Sequence, residues 1–264
     1  MTDVLIIEPL DLVYNGNFPM PRVLINGGIG GENLLTNDPR EVWSDTVVGV
    51  TREIFIDLGP NTVFDAVYLG NTNAATGDVW SIDSGLSELG PGAQPLFLNN
   101  AMKLLSDDGF TYPRGDCAYV SDFPITGRFI RITMTRATGT PLQIGRLIIG
   151  RAFRPFYNRE TGASRVPLDS GNRERASDGT LNTVSGSLIS GFKWVFGDLS
   201  DAEIKTLWGI FRRRRTTEPL VLIENNGDTI TDASVHYGTF VELEGYQRID
   251  ARKNRQALTF QDWI

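Results

Sequence analysis

His236 is the only histidine among 264 residues, and it stands two positions from Ser234 in a stretch, Ser234–Glu244, that alternates like a strand. A Ser–His pair could begin a nucleophilic triad. Neither residue sits on the strained turn a nucleophile needs, however, so a satisfied structural histidine is the stronger reading. Glu242 and Glu244 share a strand face about 7 Å apart by strand rise, which matches the carboxylate spacing of an inverting glycosidase. A solvated outer face, with Val241 and Leu243 turned inward, explains both glutamates equally well. One histidine and the single Cys117 are too few for a zinc site. Gly27, Gly28, Gly30 and Gly31 hint at a phosphate loop, but Asn33 occupies the place of the third glycine of a dinucleotide fingerprint, and Asn37-Asp38-Pro39 stops any following helix. Arg114-Gly115-Asp116 spells an adhesion tripeptide within a turn that Pro113 and Gly115 already account for. Trp80, in Asp78–Ser84, is either a core aromatic or a platform for stacking a sugar. None of these groups assembles a catalytic set, so the chain reads as a protein that is not an enzyme, with a glycosidase as the third-ranked reading.

The elements that position these residues are mostly strands. In Arg52–Asn73, Glu53–Leu58 turns Ile54, Ile56 and Leu58 to one side, and Val63–Leu69 does the same with Val63, Val67 and Leu69. Gly59-Pro60-Asn61 between them supplies turn chemistry, so the unit reads as a strand pair. Short entry strands are expected at Val4–Ile7, Leu10–Tyr14 and Val23–Ile25. The connection Gly85–Pro113 is rich in Gly, Pro and Asn and reads as surface loops. Overall, 28 glycines and 13 prolines with 41% hydrophobic residues favour a mainly β chain with sizeable cores.

Charge separates the two halves. Residues 1–152 carry 17 acidic and 10 basic side chains, and residues 153–264 carry 15 of each, so the net charge of −7 belongs to the first part. An acidic domain repels phosphates, and nucleic acid is not expected as a partner. The N-terminus is acidic with a four-residue apolar run, so neither a signal peptide nor membrane insertion is expected. A lone cysteine suits a reducing compartment.

Four stretches taken together resemble a discoidin-type module, the factor 5/8 C-type, galactose-binding-like jelly roll: Glu32–Asp45, Ile54–Gly59, Phe64–Asn73 and Gly127–Gly150. The places that carry the resemblance are Asn33, Leu34, Asp38, Trp43, Asp57, Leu58, Gly59, Arg128, Phe129, Ile130 and Arg131. The resemblance implies a β-sandwich over roughly residues 27–152, with binding loops at one end. It implies a possible glycan, with Trp80, Phe110 and Tyr112 as the aromatic candidates, and a structural calcium ion on Asn37 and Asp38. No other cofactor is expected. The paired cysteines of many secreted members are missing.

Phe153–Pro167 is polar and turn-rich, and marks a boundary between a sandwich at 1–152, with entry strands at 1–26, and a smaller β-barrel-like domain at 153–264. That domain holds the one clear helix, about 200–212, where Ser200 and Glu203 make a capping box and Ile204, Leu207, Trp208 and Phe211 form the apolar face. Arg212, Arg213, Arg214 and Arg215 close it, either as cations favourable at a helix C-terminus or as an interface with an acidic neighbour. The order of strand, capped helix, strand and a hairpin containing Tyr237-Gly238 resembles small barrels of phage distal tail and tail-tube proteins. That resemblance implies a structural component of a phage or prophage tail tip, a homo-oligomeric ring meeting tail tube, hub and fibre proteins, assembled in the bacterial cytoplasm and located in the virion tail. The alternative is a soluble carbohydrate-binding protein for cell-surface glycans.

Overall fold

The computed structural model describes residues 4–14, 22–75, 77–85, 94–101, 115–136, 139–157, 159–160, 162–169, 171–186, 188–224 and 234–263. It is a mainly β chain with one α-helix among the described residues. Two compact units form: Ile7–Ala152 with Ile223–Val235, and Phe153–Leu222 with Met1–Ile6 and His236–Ile264.

The first unit is a sandwich. Its strands are β1 (Leu5–Pro9, which begins in the other unit), β2 (Val13–Tyr14), β3 (Arg22–Ile25), β4 (Trp43–Ser44), β5 (Thr51–Asp57) and β6 (Val63–Thr72), followed by β7 (Val79–Gly85), β8 (Gln94–Ala101), β9 (Gly115–Thr126), β10 (Phe129–Thr135), β11 (Gln143–Ile144) and β12 (Arg146–Phe153). One sheet runs β2-β3-β5-β10-β7-β8, and β12-β6-β9 belong to the other. Ile54 and Ile56 of β5, Ile130 and Ile132 of β10, and Trp80 and Ile82 of β7 meet Phe64, Val67, Leu69, Leu147 and Ile149 in one buried core. Period-two alternation turns these side chains inward on the six-stranded sheet. On β6, by contrast, the run Phe64–Gly70 is buried on both faces, so alternation there is lost.

Two expectations fail. β5 and β6 are not a hairpin: β5 pairs with β3 and β10, and β6 pairs with β12 and β9, so Gly59-Pro60-Asn61 carries the chain from one sheet to the other. The turn chemistry was legible, but a corner between sheets uses the same residues as a hairpin. Gly85–Pro113 is not all loop either, because β8 within it pairs with β7 from Val79↔Ala101 to Ser84↔Gln94. Glu32–Leu35 lies within a short 3-10 helix, Gly31–Leu35.

The second unit contains β13 (Ser164–Asp169), β14 (Asn172–Arg175), β15 (Leu181–Val184), β16 (Leu188–Leu199), the helix α1 (Asp201–Arg214), β17 (Leu220–Ile223), β18 (Val235–Glu242), β19 (Gln247–Asp250) and β20 (Lys253–Asp262). Its sheet runs β13-β16-β20-β18-β17, an open order with β13 at one edge. Ser200 accepts from the Glu203 amide while the Glu203 carboxylate accepts from the Ser200 amide, which completes the capping box. The helix buries Ile204, Leu207, Ile210 and Phe211 against Phe192, Trp194, Phe196, Phe240, Leu258 and Phe260. Trp208, expected on that face, is only half-buried, and Ile210, not counted on it, is buried.

Candidate functional site

The sandwich brings its connections to one end. Thr135 pairs with both Thr51 and Val79, Val79 with Ala101, and Thr72 with Gly115, so the chain leaves or enters β5 to β10 at that end. The polar side chains there bind loop backbone. Arg136, 8% exposed, donates through Nη1 to Asn73 Oδ1 at 2.7 Å and sets Nε 3.6 Å from Asp78 Oδ2. Asp78 accepts the Ala75 amide, and Asn73 accepts the Gln143 amide while donating to the Pro141 carbonyl at 3.0 Å. Asn71 donates to the Pro39 carbonyl, its own amide donates to Asp116 Oδ1, and Arg146 donates to the Thr36 carbonyl at 2.8 Å. Three connections, 36–45, 73–78 and 139–143, are thereby pinned to one another. This rim holds and presents; it contains no nucleophile beside a base.

The residues of the family resemblance are the frame beneath it. Asn33 donates to the Val42 carbonyl and Trp43 Nε1 to the Gly27 carbonyl. Arg128 grips Asp57 with two bonds of 2.9 and 3.1 Å, and Arg52 grips Asp45 with two of 2.8 and 2.7 Å. Burial alone would push both carboxyls up; at Asp57 the Arg128 guanidinium and the Gly59 amide outweigh it, and at Asp45 Arg52 with the Val47 and Thr46 amides does so, holding both below the usual carboxylate range.

The expected site residues fall in different places. Trp80 is 1% exposed in the sandwich core, so it cannot offer a face to a sugar; its position on the inward side of β7 decides this. Phe110 and Tyr112 lie outside the described residues. Of the expected calcium residues Asn37 and Asp38, Asp38 has its carboxylate taken by Arg40 at 2.7 Å, which holds its pKa down, and no group of three His, Cys, Asp or Glu side chains stands together among the described residues. Arg212, Arg213 and Arg215 are exposed and Arg214 half-buried at the end of α1, where Arg215 adopts a positive φ of 53° as the helix closes. His236 is buried, with Nδ1 3.3 Å from Asp262 Oδ1 and its ring 4.2 Å from that of Phe192. Glu242 ends β18 at a register shift and Glu244 lies beyond the strand; Val241 and Leu243 are exposed as well, so the expected inward and outward faces do not form. Of the tripeptide, Asp116 is held by the Asn71 amide and Arg114 lies outside the described residues.

No family model matches the chain, and no curated protein matches it. Solved structures similar to it include carbohydrate-binding modules of family 32, a GH29 fucosidase, and reduced XRCC1 bound to the DNA polymerase β catalytic domain. CBM32-6 of Clostridium perfringens is 14% identical over 50% of this chain and 93% of its own, with a TM-score of 0.38. The family 32 module of C. perfringens NanJ, in complex with galactose, is 11% identical over 48% of this chain and 90% of its own, also at 0.38. A Ruminococcus gnavus GH29 fucosidase in complex with fucose is 17% identical over 50% of this chain at 0.39, and the match spans only 25% of the fucosidase. Likeness at this level assigns no ligand to this chain.

The sequence reading missed the rim. Asn71, Asn73, Asp78 and Arg136 carry no motif, although the run Gly70–Asn73 at the end of β6 is a local signal, since Asn side chains readily bind loop backbone. A cleft in the second unit, lined by residues from its last strands and from the turn after α1, was missed too.

Proposed function

We propose that this chain is a non-catalytic carbohydrate-binding protein whose sandwich takes a cell-surface glycan at its loop-bearing end. What supports the reading most is the pinned rim, in which Arg136 ties Asn73 and Asp78 at the end of the sandwich where β8 ends and β9 begins. Recognition of a polyhydroxylated ligand loses affinity to every loop that must be ordered on binding, so loops standing on a rigid frame suit it. Phe110 and Tyr112 lie in the connection between β8 and β9 and supply ring faces for the C–H side of a sugar. With Trp80 in the core, they carry the stacking. Isothermal titration of the full chain with glycans selected on an array tests this: replacing both Phe110 and Tyr112 by Ala removes the saturable binding that belongs to the sandwich loops, lowering the number of glycans bound per chain, and leaves the thermal midpoint unchanged. Undiminished binding by the double variant overturns it.

A second reading, a ring-forming component of a phage tail tip located in the virion, has one observation in its favour: three arginines of Arg212–Arg215 are exposed at a helix end, on a chain whose first part carries the negative surplus. Replacing Arg213, Arg214 and Arg215 by Ser then weakens self-assembly in light scattering, as does added salt on the unaltered chain. A chain that stays monomeric at high concentration and low salt contradicts this reading.

A further inference from the structure

The second unit holds a cleft of about 410 Å³ that the sandwich reading does not use. Thr239 on β18 stands directly across from Gln261 on β20, and the third residue of that row, on β16, is Gly191. The glycine adds no side chain to that row, and Ile189, two residues before it on β16, lines the cleft. Gly238 has a related part. A Cβ at that position would collide with the Gln261 carbonyl, so the Tyr237-Gly238 pair of the sequence is what lets β18 approach β20 at this point. Thr216 and Thr217, in the turn after α1, supply the opposite wall.

The chemistry of the lining selects a class of ligand. Thr216, Thr217, Thr239, Gln261 and Asp262 line the cleft together with the half-buried indole of Trp263. The indole is seated: its backbone amide donates to the Tyr237 carbonyl at 2.8 Å, and its ring lies 6.2 Å from that of Tyr237. Asp262 is oriented by His236, 3.3 Å away. Among the described residues no lysine or arginine lines the cleft, so an anionic ligand would meet a carboxylate there. Ile189 and Trp263 give the cleft an apolar side next to its polar groups. A peptide added as a strand is excluded as well, because β16, β18 and β20 each have a neighbour on both sides and offer no open edge here. What remains is a ligand with one C–H face to lay on an indole and several neutral hydroxyls for short polar groups.

We infer that this cleft is a second binding site, independent of the sandwich loops, for a neutral saccharide, with Trp263 as the stacking platform and Thr239, Gln261 and Asp262 as the hydroxyl-reading groups. The size fits: small-ligand clefts run from about 300 to 1,000 Å³.

The test uses the full chain carrying Phe110→Ala and Tyr112→Ala, which silences the sandwich loops, on an array of neutral and acidic mono- to tetrasaccharides followed by calorimetry. Neutral saccharides are retained and acidic ones are not. Adding Trp263→Ala weakens binding by on the order of tenfold or more, the loss of one stacked ring. Because Trp263 packs on Tyr237, a second variant, Thr216→Val with Thr217→Val, removes two hydroxyls in an exposed turn, and it weakens binding several-fold with an unchanged thermal midpoint. Retention of no neutral saccharide, equal retention of acidic ones, or equal affinity in both variants overturns the inference. A chain that binds through this cleft while Phe110→Ala and Tyr112→Ala make no difference leaves it standing and removes the sandwich reading instead.

Discussion

Asp57 shows how much of the site a single residue can carry. Its place before Leu58-Gly59 and the place of Arg128 before Phe129-Ile130 were legible as family positions, but their pairing across 71 residues was not, because only the folded sandwich brings them together. Asp57 is 5% exposed whereas Arg128 is 37% exposed, so Asp57→Asn leaves no stranded buried charge and is expected to cost about 2 kcal/mol, the scale of charge-assisted hydrogen bonds. The carboxyl is held below its ordinary value, so its contribution is complete above an unfolded pKa of about 4 and disappears as pH falls through the lower folded value. Urea unfolding at pH 7, 5 and 3 should show a gap between Asp57→Asn and the unaltered chain that is constant at the two higher values and narrows at pH 3; a gap as wide at pH 3 as at pH 7 would refute the assignment. Gly145 gives a second test at this scale. A Cβ there would collide with the Pro39 carbonyl, the same loop that Asn71 holds, so Gly145→Ala should displace the rim and lower glycan affinity more than overall stability, as calorimetry and thermal unfolding together would register.

Elements were legible where one physical rule acted alone. The capped helix is the clearest case, since Ser200, Glu203 and the apolar spacing decide it locally. Its orientation was less so: periodicity centres the apolar face on Ile204, Leu207 and Phe211, with Trp208 on one flank and Ile210 on the other, and only packing against the sheet makes Ile210 the more buried flank. Leu207→Ala should therefore cost about 3–5 kcal/mol, whereas Trp208→Ala, which loses a half-buried ring and a 3.3 Å bond to Gln256 Oε1, should cost clearly less. Equilibrium denaturation of both variants decides it, and the reverse order would place Trp208 at the core. β8 was illegible for a different reason. Gln94–Ala101 contains a proline and two asparagines and has weak strand propensity, and it is a strand because it sits at the end of the six-stranded order, where only β7 must pair with it.

At the scale of the molecule, composition and charge marked two parts, but not that the chain's first residues serve the second. Val4 and Ile6 lie in the core with Phe153, Leu220 and Leu222. Cleavage in Phe153–Arg165, where Phe156 and Tyr157 are exposed, should thus give a C-terminal fragment that is degraded faster than the N-terminal one, because it lacks two core residues; mass spectrometry of a proteolysis time course would show the order of loss. The binding loops themselves could be located in the sequence only by composition, since Gly, Pro and Asn mark connections without saying which end of a sandwich they crown. The account as a whole depends on glycan recognition without chemistry. Incubating the full chain with a broad glycan array, and then the retained glycans in solution with sampling by mass spectrometry, tests that most directly: the account predicts saturable, reversible binding and glycans recovered intact, whereas a folded chain that retains no glycan, or one that shortens those it retains, contradicts it.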